Sequence, residues 1–319
     1  MEATKPNNPQ PQAPKPAVKP QPQVAKPQPM AAKPQPKKAN DRTVKSNVGG
    51  IKNAFLVILI CFIIAELLYI FGLGHISNFK SSPEGCPAAF SLFVDNNEYT
   101  LAPDNLLGTV YKGGFVVPIL LTCLFTVIAL SIERAFAIGK AKGKGNTTKF
   151  VENVKAALQN KDIAKAEDLC RKQKGTVGAV VYQTLQKYKE MDKDTELQKE
   201  QKLISIQQTL EEATAVEMPA LQQNLPVIAT LTTLGTLLGL FGTVLGMIKS
   251  FQALSQSGAP DSTELSTGIS EALVNTATGI ATAALALISY NYYTNKIDKM
   301  TYAIDELGFS IVSTFAATH

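Results

Sequence analysis

Four stretches of this chain are too apolar to be at home in water, and no other feature limits its fold as severely. Ala54 to Gly74 (AFLVILICFIIAELLYIFGLG) gives 21 residues with one charge, Glu66, and Gly113 to Ile132 gives 20 with none. At about 1.5 Å rise per residue, each is long enough to cross a hydrocarbon layer of roughly 30 Å. A soluble buried helix of such length carries a polar stripe, and these carry none. Two further runs, Leu225 to Ile248 and Ser266 to Tyr290, close the chain with a different composition, rich in Gly, Ala, Thr and Ser. Four membrane-spanning helices are the reading.

The segments between the spans are as distinctive. Residues 1–50 hold eleven of the eighteen prolines and carry a local charge of +7, so the remaining residues sum to −2. The tetrapeptide Lys-Pro-Gln-Pro recurs at Lys19, Lys26 and Lys33. Such a segment has almost nothing apolar to bury and is expected to stay disordered, as a tether or a solvated linker biased toward polyproline II. It lacks the order of regions that marks a signal peptide. Confining the basic character to this tail argues against nucleic-acid binding by the whole protein. Residues 133–220 interleave sixteen basic and thirteen acidic residues with apolar positions at helical spacing, such as Phe150, Val154, Ala157 and Leu158. Gly175 and Gly178 mark a break there, and a long polar helix is expected from about Thr195 to Ala220. After Tyr290, the residues Ile297, Met300, Ile304, Leu307, Ile311 and Phe315 fall three or four apart, which predicts a last helix packed on this domain or on a neighbouring subunit.

Orientation follows from the basic residues near the span ends. The tail, residues 133–220 and the C-terminus carry most of them, including Arg42, Lys45, Lys52, Arg134, Lys140, Lys142, Lys144, Lys296 and Lys299. The opposite side carries Lys80, Lys112 and Lys249, with a net acidic loop over 75–112. Four spans put all three basic segments on one side, the cytoplasm. The expected architecture is thus an all-α integral membrane protein with four transmembrane helices and a cytoplasmic helical domain. Its parts are a tail (1–50), spans 1 and 2 with their loop (51–137), a helical domain (138–220), spans 3 and 4 (221–294) and a C-terminal helix (295–319).

Lipid does not reward Gly and Thr, whereas close helix packing does. In the third span, Gly235 and Gly239 form a GxxxG, as do Gly242 and Gly246, and Thr232, Thr236, Gly239, Thr243 and Gly246 share one face. The fourth span carries a polar line at Glu271, Asn275, Thr278 and Thr282. An intramembrane carboxylate costs roughly 2.5–3.5 kcal/mol on insertion scales, so Glu271 must face protein or water. Two readings stand: polar faces that glue helices together, or a hydrated, ion-conducting path. Glu66, alone on a lipid-type helix, suits a partner in another subunit. The four cysteines lack the clustering of a metal site or disulfide framework. No Ser-His-Asp arrangement, phosphate loop or metal-ligand cluster appears, so neither an enzyme nor a nucleotide binder is expected.

The run Gly239-Leu-Phe-Gly-Thr243-Val-Leu-Gly246-Met247-Ile248, followed by Gly268-Ile-Ser-Glu271-Ala-Leu-Val-Asn-Thr276-Ala, resembles the MotA/TolQ/ExbB proton-channel family across about 222–294. Ser131-Ile-Glu133-Arg134 resembles the charged end of a family helix, while the tail and first span have no counterpart in the three-helix ExbB and TolQ pattern. The resemblance implies a homo-oligomeric ring, commonly a pentamer, in the bacterial inner membrane with cytoplasmic termini. The ring encloses the single helices of an ExbD/TolR/MotB-like partner that carries a membrane Asp. Protons, or sodium, would pass between them as transported ions with no other cofactor, and drive TonB-type transport through a TonB-like protein, or a Tol-like or motility device. Carried onto this chain, Thr243 and Thr276 match the family's pore-lining threonines, with Thr232, Thr236 and Thr278 beside them, and Glu271 its intramembrane acid. Thr276 lies about 140° around the helix from Glu271, so Thr276 is expected toward a pore with Ala272, Gly279 and Ala283, and Glu271 toward an adjacent helix. A non-conducting scaffold is the alternative from another class.

Overall fold

The computed structural model describes residues 53–75, 78, 105–256 and 262–319. The expected disordered tail, most of the loop between the first two spans and the short loop at 257–261 lie outside the described residues. Helices alone build what is described: α1 (Ala54–Leu67), α2 (Leu106–Tyr111), α3 (Val116–Ala141), α4 (Thr147–Gln159), α5 (Ile163–Gln173), α6 (Gly175–Lys193), α7 (Lys199–Gln222), α8 (Leu225–Gln256) and α9 (Ser262–Thr318). Among the described residues, four helical stretches are long and apolar enough to cross a membrane, and each takes in all or nearly all of one of the four apolar runs. This is an all-α membrane protein.

α1 is apolar all round except at Glu66, and only Val57, Cys61 and Ala65, at steps of four, are buried, against α3. Its far end widens into a π-helical turn, Leu68–Leu73, a feature the apolar run does not announce. The Asn78 amide donates to the carbonyls of Gly72 (2.8 Å) and Leu73 (3.0 Å), which the end of that turn leaves unpaired. α3 is better enclosed. Its two buried threonines are satisfied within the helix: Thr122 donates to the Pro118 carbonyl (2.8 Å) and Thr126 to that of Thr122 (2.7 Å).

Past the membrane stretch of α3, the chain folds through α4, α5 and α6. Asn146 and Asp162 cap the first two of these with side-chain oxygens. The break expected around Gly175 and Gly178 falls at Lys174–Gly175 alone, where both residues have positive φ (56° and 76°). A Cβ on Gly175 would stand 2.3 Å from the Ala141 carbonyl oxygen and 2.7 Å from the Gly143 nitrogen. Only glycine fits between these backbones. Gly178 lies inside α6, facing the Cys170 carbonyl, and is a packing residue rather than a breaker.

The apolar residues of α4 (Phe150, Val154, Leu158), α6 (Val180, Val181, Leu185) and the far half of α9 form one core. Ile297, Met300, Ile304, Leu307, Ile311 and Phe315 are all buried there, against helices of their own subunit. The fourth span and the C-terminal helix are not two elements. They form one helix of 57 residues, Ser262–Thr318, because nothing between Tyr290 and Lys299 removes a backbone donor or forces a positive φ. α9 therefore ties the membrane part rigidly to the helical domain.

Cys170 is completely enclosed in that core, and burial, reinforced by the charge of Glu167, pushes its thiol up to about 12. The thiolate is the reactive form. Native protein held at pH 8 with a maleimide should leave the Cys170 peptide unlabelled, and mass mapping after denaturation should find it fully labelled. Rapid native labelling at that peptide would show that α5 does not pack as described.

Candidate functional site

Among the described helices, α8 and α9 are the most extensively packed pair, and glycine brings them together. A Cβ on Gly235 would lie 3.2 Å from the Gly279 carbonyl oxygen, and one on Gly239 would lie 3.2 Å from the Gly279 Cα. A Cβ on Gly246 would meet the Gly268 carbonyl oxygen at 2.7 Å, and one on Gly242 the Cβ of Asn275 at 2.4 Å. All four glycines therefore face α9, where bare backbone permits close approach. Ala272, Gly279 and Ala283, expected along a pore, are spent on this contact instead: each lies against a glycine of α8. The expectation fails because a small residue suits a tight helix seam as well as it suits a narrow channel.

The threonines of α8 sit beside the glycines rather than among them. Thr236 is exposed, and Thr232 and Thr243 are half-buried, along an edge that α9 leaves open. Each hydroxyl donates back to its own helix: Thr232 to the Ala229 carbonyl (2.6 Å), Thr236 to that of Thr232 (3.3 Å), Thr243 to that of Leu240 (2.5 Å). With the proton so placed, the oxygen presents lone pairs outward without fixed charge. Thr276 sits in the seam itself, donating to the carbonyls of Gly239 (3.3 Å) and Ala272 (3.1 Å). Thr278 donates to the Val274 carbonyl (2.9 Å) and is half-buried.

Glu271, Asn275 and Thr282 point the other way, into the subunit, and all three are buried. The Glu271 carboxylate accepts from the Lys249 ammonium with both oxygens (2.8 and 3.0 Å), and the acid is almost enclosed while the lysine is half in the open. Its other neighbour is Gly114, at φ 74°, whose Cβ would stand 2.3 Å from Glu271 Oε1. Only glycine lets the turn before α3 close over the carboxylate. One helical turn along, the Asn275 amide donates to the Gly113 carbonyl (2.9 Å), and its Oδ1 accepts no hydrogen bond among the described residues. A buried amide oxygen left unpaired costs about 1–3 kcal/mol.

Lys249, Gly113 and Gly114 belong to this cluster, and sequence reasoning assigned them no role. The signal for Lys249 was a lone cation at the end of an apolar run, 22 residues before the only acid of the next span. Glu66 stays apart: it is half-buried on α1 and forms no hydrogen bond or ion pair among the described residues. Tyr69 does connect α1 to the Gly113–Gly114 end of the site, stacking on Tyr111 (ring centroids 4.7 Å apart) and donating to its carbonyl (2.9 Å). At the other end of the pair, the Tyr293 hydroxyl of α9 donates to the Ser131 carbonyl of α3 (2.6 Å), beside the buried Glu133–Arg134 pair. No group of three or more metal-ligating side chains occurs among the described residues.

Comparison with known proteins centres on this same region. Residues 172–306 match the model of the MotA/TolQ/ExbB proton channel family. The chain is 38% identical over 86 residues to the putative biopolymer transport protein ExbB-like 3 of Synechocystis sp., covering 26% of this chain and 41% of that protein. It is 33% identical over 104 residues to the Tol-Pal system protein TolQ of Haemophilus influenzae, covering 29% and 46%, and 29% identical over 85 residues to the biopolymer transport protein ExbB of Salmonella typhimurium, covering 27% and 35%. The matched stretch spans less than half the length of each of these three relatives. The matched segment carries α8, most of α9 and their seam, and it is through this segment that the chain is similar to the MotA/TolQ/ExbB proton channel family.

Proposed function

We propose that this chain is the ring-forming subunit of an ion-driven motor in the bacterial inner membrane, with both termini cytoplasmic. In this reading, several copies surround the single membrane helix of an ExbD/TolR-like partner, whose Asp takes up and releases the transported proton or sodium ion. One observation carries the proposal. On α8 the glycines are consumed by α9, yet Thr232, Thr236 and Thr243 are left along an open edge. An edge of uncharged acceptors suits a titrating guest carboxylate, because it holds water without binding an ion too tightly to release it.

The driven process is proposed to be TonB-type transport, which the relatives named ExbB support; those named TolQ support a Tol-type device. A second reading has its own observation. The Lys249 ammonium ties down Glu271, a buried acid of α9, which favours a non-conducting scaffold.

The test is ion flux through the chain reconstituted with its partner. Thr243→Val and Thr276→Val keep the shape of the side chain and remove its hydroxyl, Thr276→Val also losing the bond to the Gly239 carbonyl, so both variants should still assemble and lose energised activity. Unimpaired flux in both would end the pore assignment. Flux no higher than partner-free controls in the unaltered complex would establish the scaffold. Deletion in the host separates the two devices: loss of energised uptake marks the TonB type, and a leaking envelope marks the Tol type.

A further inference from the structure

Where α3 and α9 leave their apolar stretches, they and α4 enclose a cavity of about 640 Å³. One water takes about 30 Å³ in the liquid, so a phosphate with its glycerol fits easily. Its floor is apolar, with Ile138, Val151 and Met300, and its walls carry Lys142, Lys155, Lys296 and Lys299 against Glu152 and Glu306. Lys155 pairs with Glu306, and the Lys296 ammonium lies 4.3 Å above the Tyr292 ring. Lys142 and Lys299 form no ion pair among the described residues. The N-terminus of α4 opens on the same space through Asn146, Thr147 and Thr148, adding a positive helix end. The cavity is positive and its charge is not balanced from within.

What leads to it is apolar. On α3, Ile128, Ile132, Ala135, Gly139 and Lys142 follow at steps of four, three, four and three, so they share one exposed face that passes from the membrane stretch into the cavity. On α9, Ile288, Tyr292 and Lys296 do the same at steps of four, with Ile288 67% exposed and Tyr292 53%. Two apolar rows on packed neighbours thus descend to one basic pocket at the level where the hydrocarbon ends. The chain's own tail is a poor occupant, since it carries +7 itself.

We propose that this cavity binds the headgroup of an anionic phospholipid, phosphatidylglycerol being the simplest, with the acyl chains lying along the exposed rows of α3 and α9. The lysines contact the phosphate, and Lys296, held over Tyr292, marks the boundary between headgroup and tail. The lipid would brace the junction of membrane helices and helical domain. This inference rests on the membrane spans and not on ion transport, so it stands or falls apart from the motor.

The experiment uses the full chain in nanodiscs of phosphatidylcholine with and without phosphatidylglycerol, reading lipid retained after mild extraction by native mass spectrometry. The unaltered protein should retain phosphatidylglycerol in preference to phosphatidylcholine. The combined variant Lys142→Gln, Lys296→Gln, Lys299→Gln should lose about fivefold in retention per lysine removed, while replacing Lys165, Lys172 and Lys193 on α5 and α6 should change nothing. Gly139→Glu provides a second arm if the triple variant folds poorly. Nothing lies within 4 Å of where its Cβ would stand, so the fold tolerates it and the new carboxylate should expel the lipid. Equal retention of the two lipids, or retention unchanged in Gly139→Glu, would overturn the proposal. So would efficient cross-linking between copies through Phe136→Cys, which would show another subunit covering this face.

Discussion

Replacing Gly279 by Val should collapse the folded protein's stability more than any change elsewhere in the membrane region. The Cβ alone would stand 2.6 Å from the Gly235 carbonyl oxygen, 2.8 Å from the Gly239 Cα and 3.1 Å from the Gly239 nitrogen. These are backbone atoms of a continuous helix, so no rotamer change relieves the clash. α8 and α9 must separate along the whole seam. Separation withdraws Gly246 from Gly268, breaks the bond from Thr276 to the Gly239 carbonyl and moves Asn275 away from Gly113. Overpacking a tight site costs about 1–3 kcal/mol or more, and here the loss of the cross-seam bonds is added. Heating the detergent-solubilised variant and following the monodisperse fraction should show a large fall in apparent melting temperature. Gly139→Ala is the matched control. It meets nothing within 4 Å and gains helix propensity, so its stability should equal or exceed that of the unaltered chain. A Gly279→Val protein as stable as the control would mean that the two helices do not approach each other this closely.

That seam was legible in the sequence because lipid gives glycine no advantage, so glycines at four-residue spacing in an apolar run ask for a partner backbone. The partner was less legible. Ala272, Gly279 and Ala283 are small enough for a seam or a channel, and only the positions of α8 and α3 around α9 decide between them. Glu271 illustrates the same limit. Its cost in the membrane announced a partner, but the partner, Lys249, is reached across a loop whose geometry no spacing rule supplies. Gly114 sits under the carboxylate for a reason visible only once that pair is formed. The π-helical end of α1 has no periodic signature, since a uniformly apolar run reads alike in either helix. By contrast, the stripe from Ile297 to Phe315 read plainly, because every one of its members is apolar at helical spacing on a segment that carries most of its charges between them. Its continuity with the fourth span was missed, since a change of solvent along a helix alters composition without requiring a break.

Arg134→Met is the second substitution expected to act strongly, and it tests the corner on which the membrane pair stands. The Arg134 side chain is completely buried and makes a bidentate pair with Glu133, Nη2 to Oε1 at 2.5 Å and Nε to Oε2 at 2.6 Å. Its Nη1 reaches across the chain to the carbonyls of Ala220 (3.4 Å) and Leu221 (3.3 Å), in the last turn of α7. A helix end leaves its final carbonyls without partners, and a cation is favoured there by the dipole. Just beyond, Asn224 turns the chain into α8 at φ 64°, and its amide donates to Glu133 Oε2 (3.4 Å). Arg134 thus joins α3, the end of α7 and the start of α8. Truncating one partner of a buried pair costs about 3–5 kcal/mol, most of it from the charge left behind. If that is the cause here, Glu133→Gln combined with Arg134→Met should recover part of the loss, and Arg134→Lys should fall between, since an ammonium cannot serve the carboxylate and two carbonyls in one plane. Thermal stability of the four proteins in one detergent gives the answer. A double variant no more stable than Arg134→Met would place the whole effect in the α7 carbonyls, and an Arg134→Met protein of normal stability would show that the corner is held by packing alone.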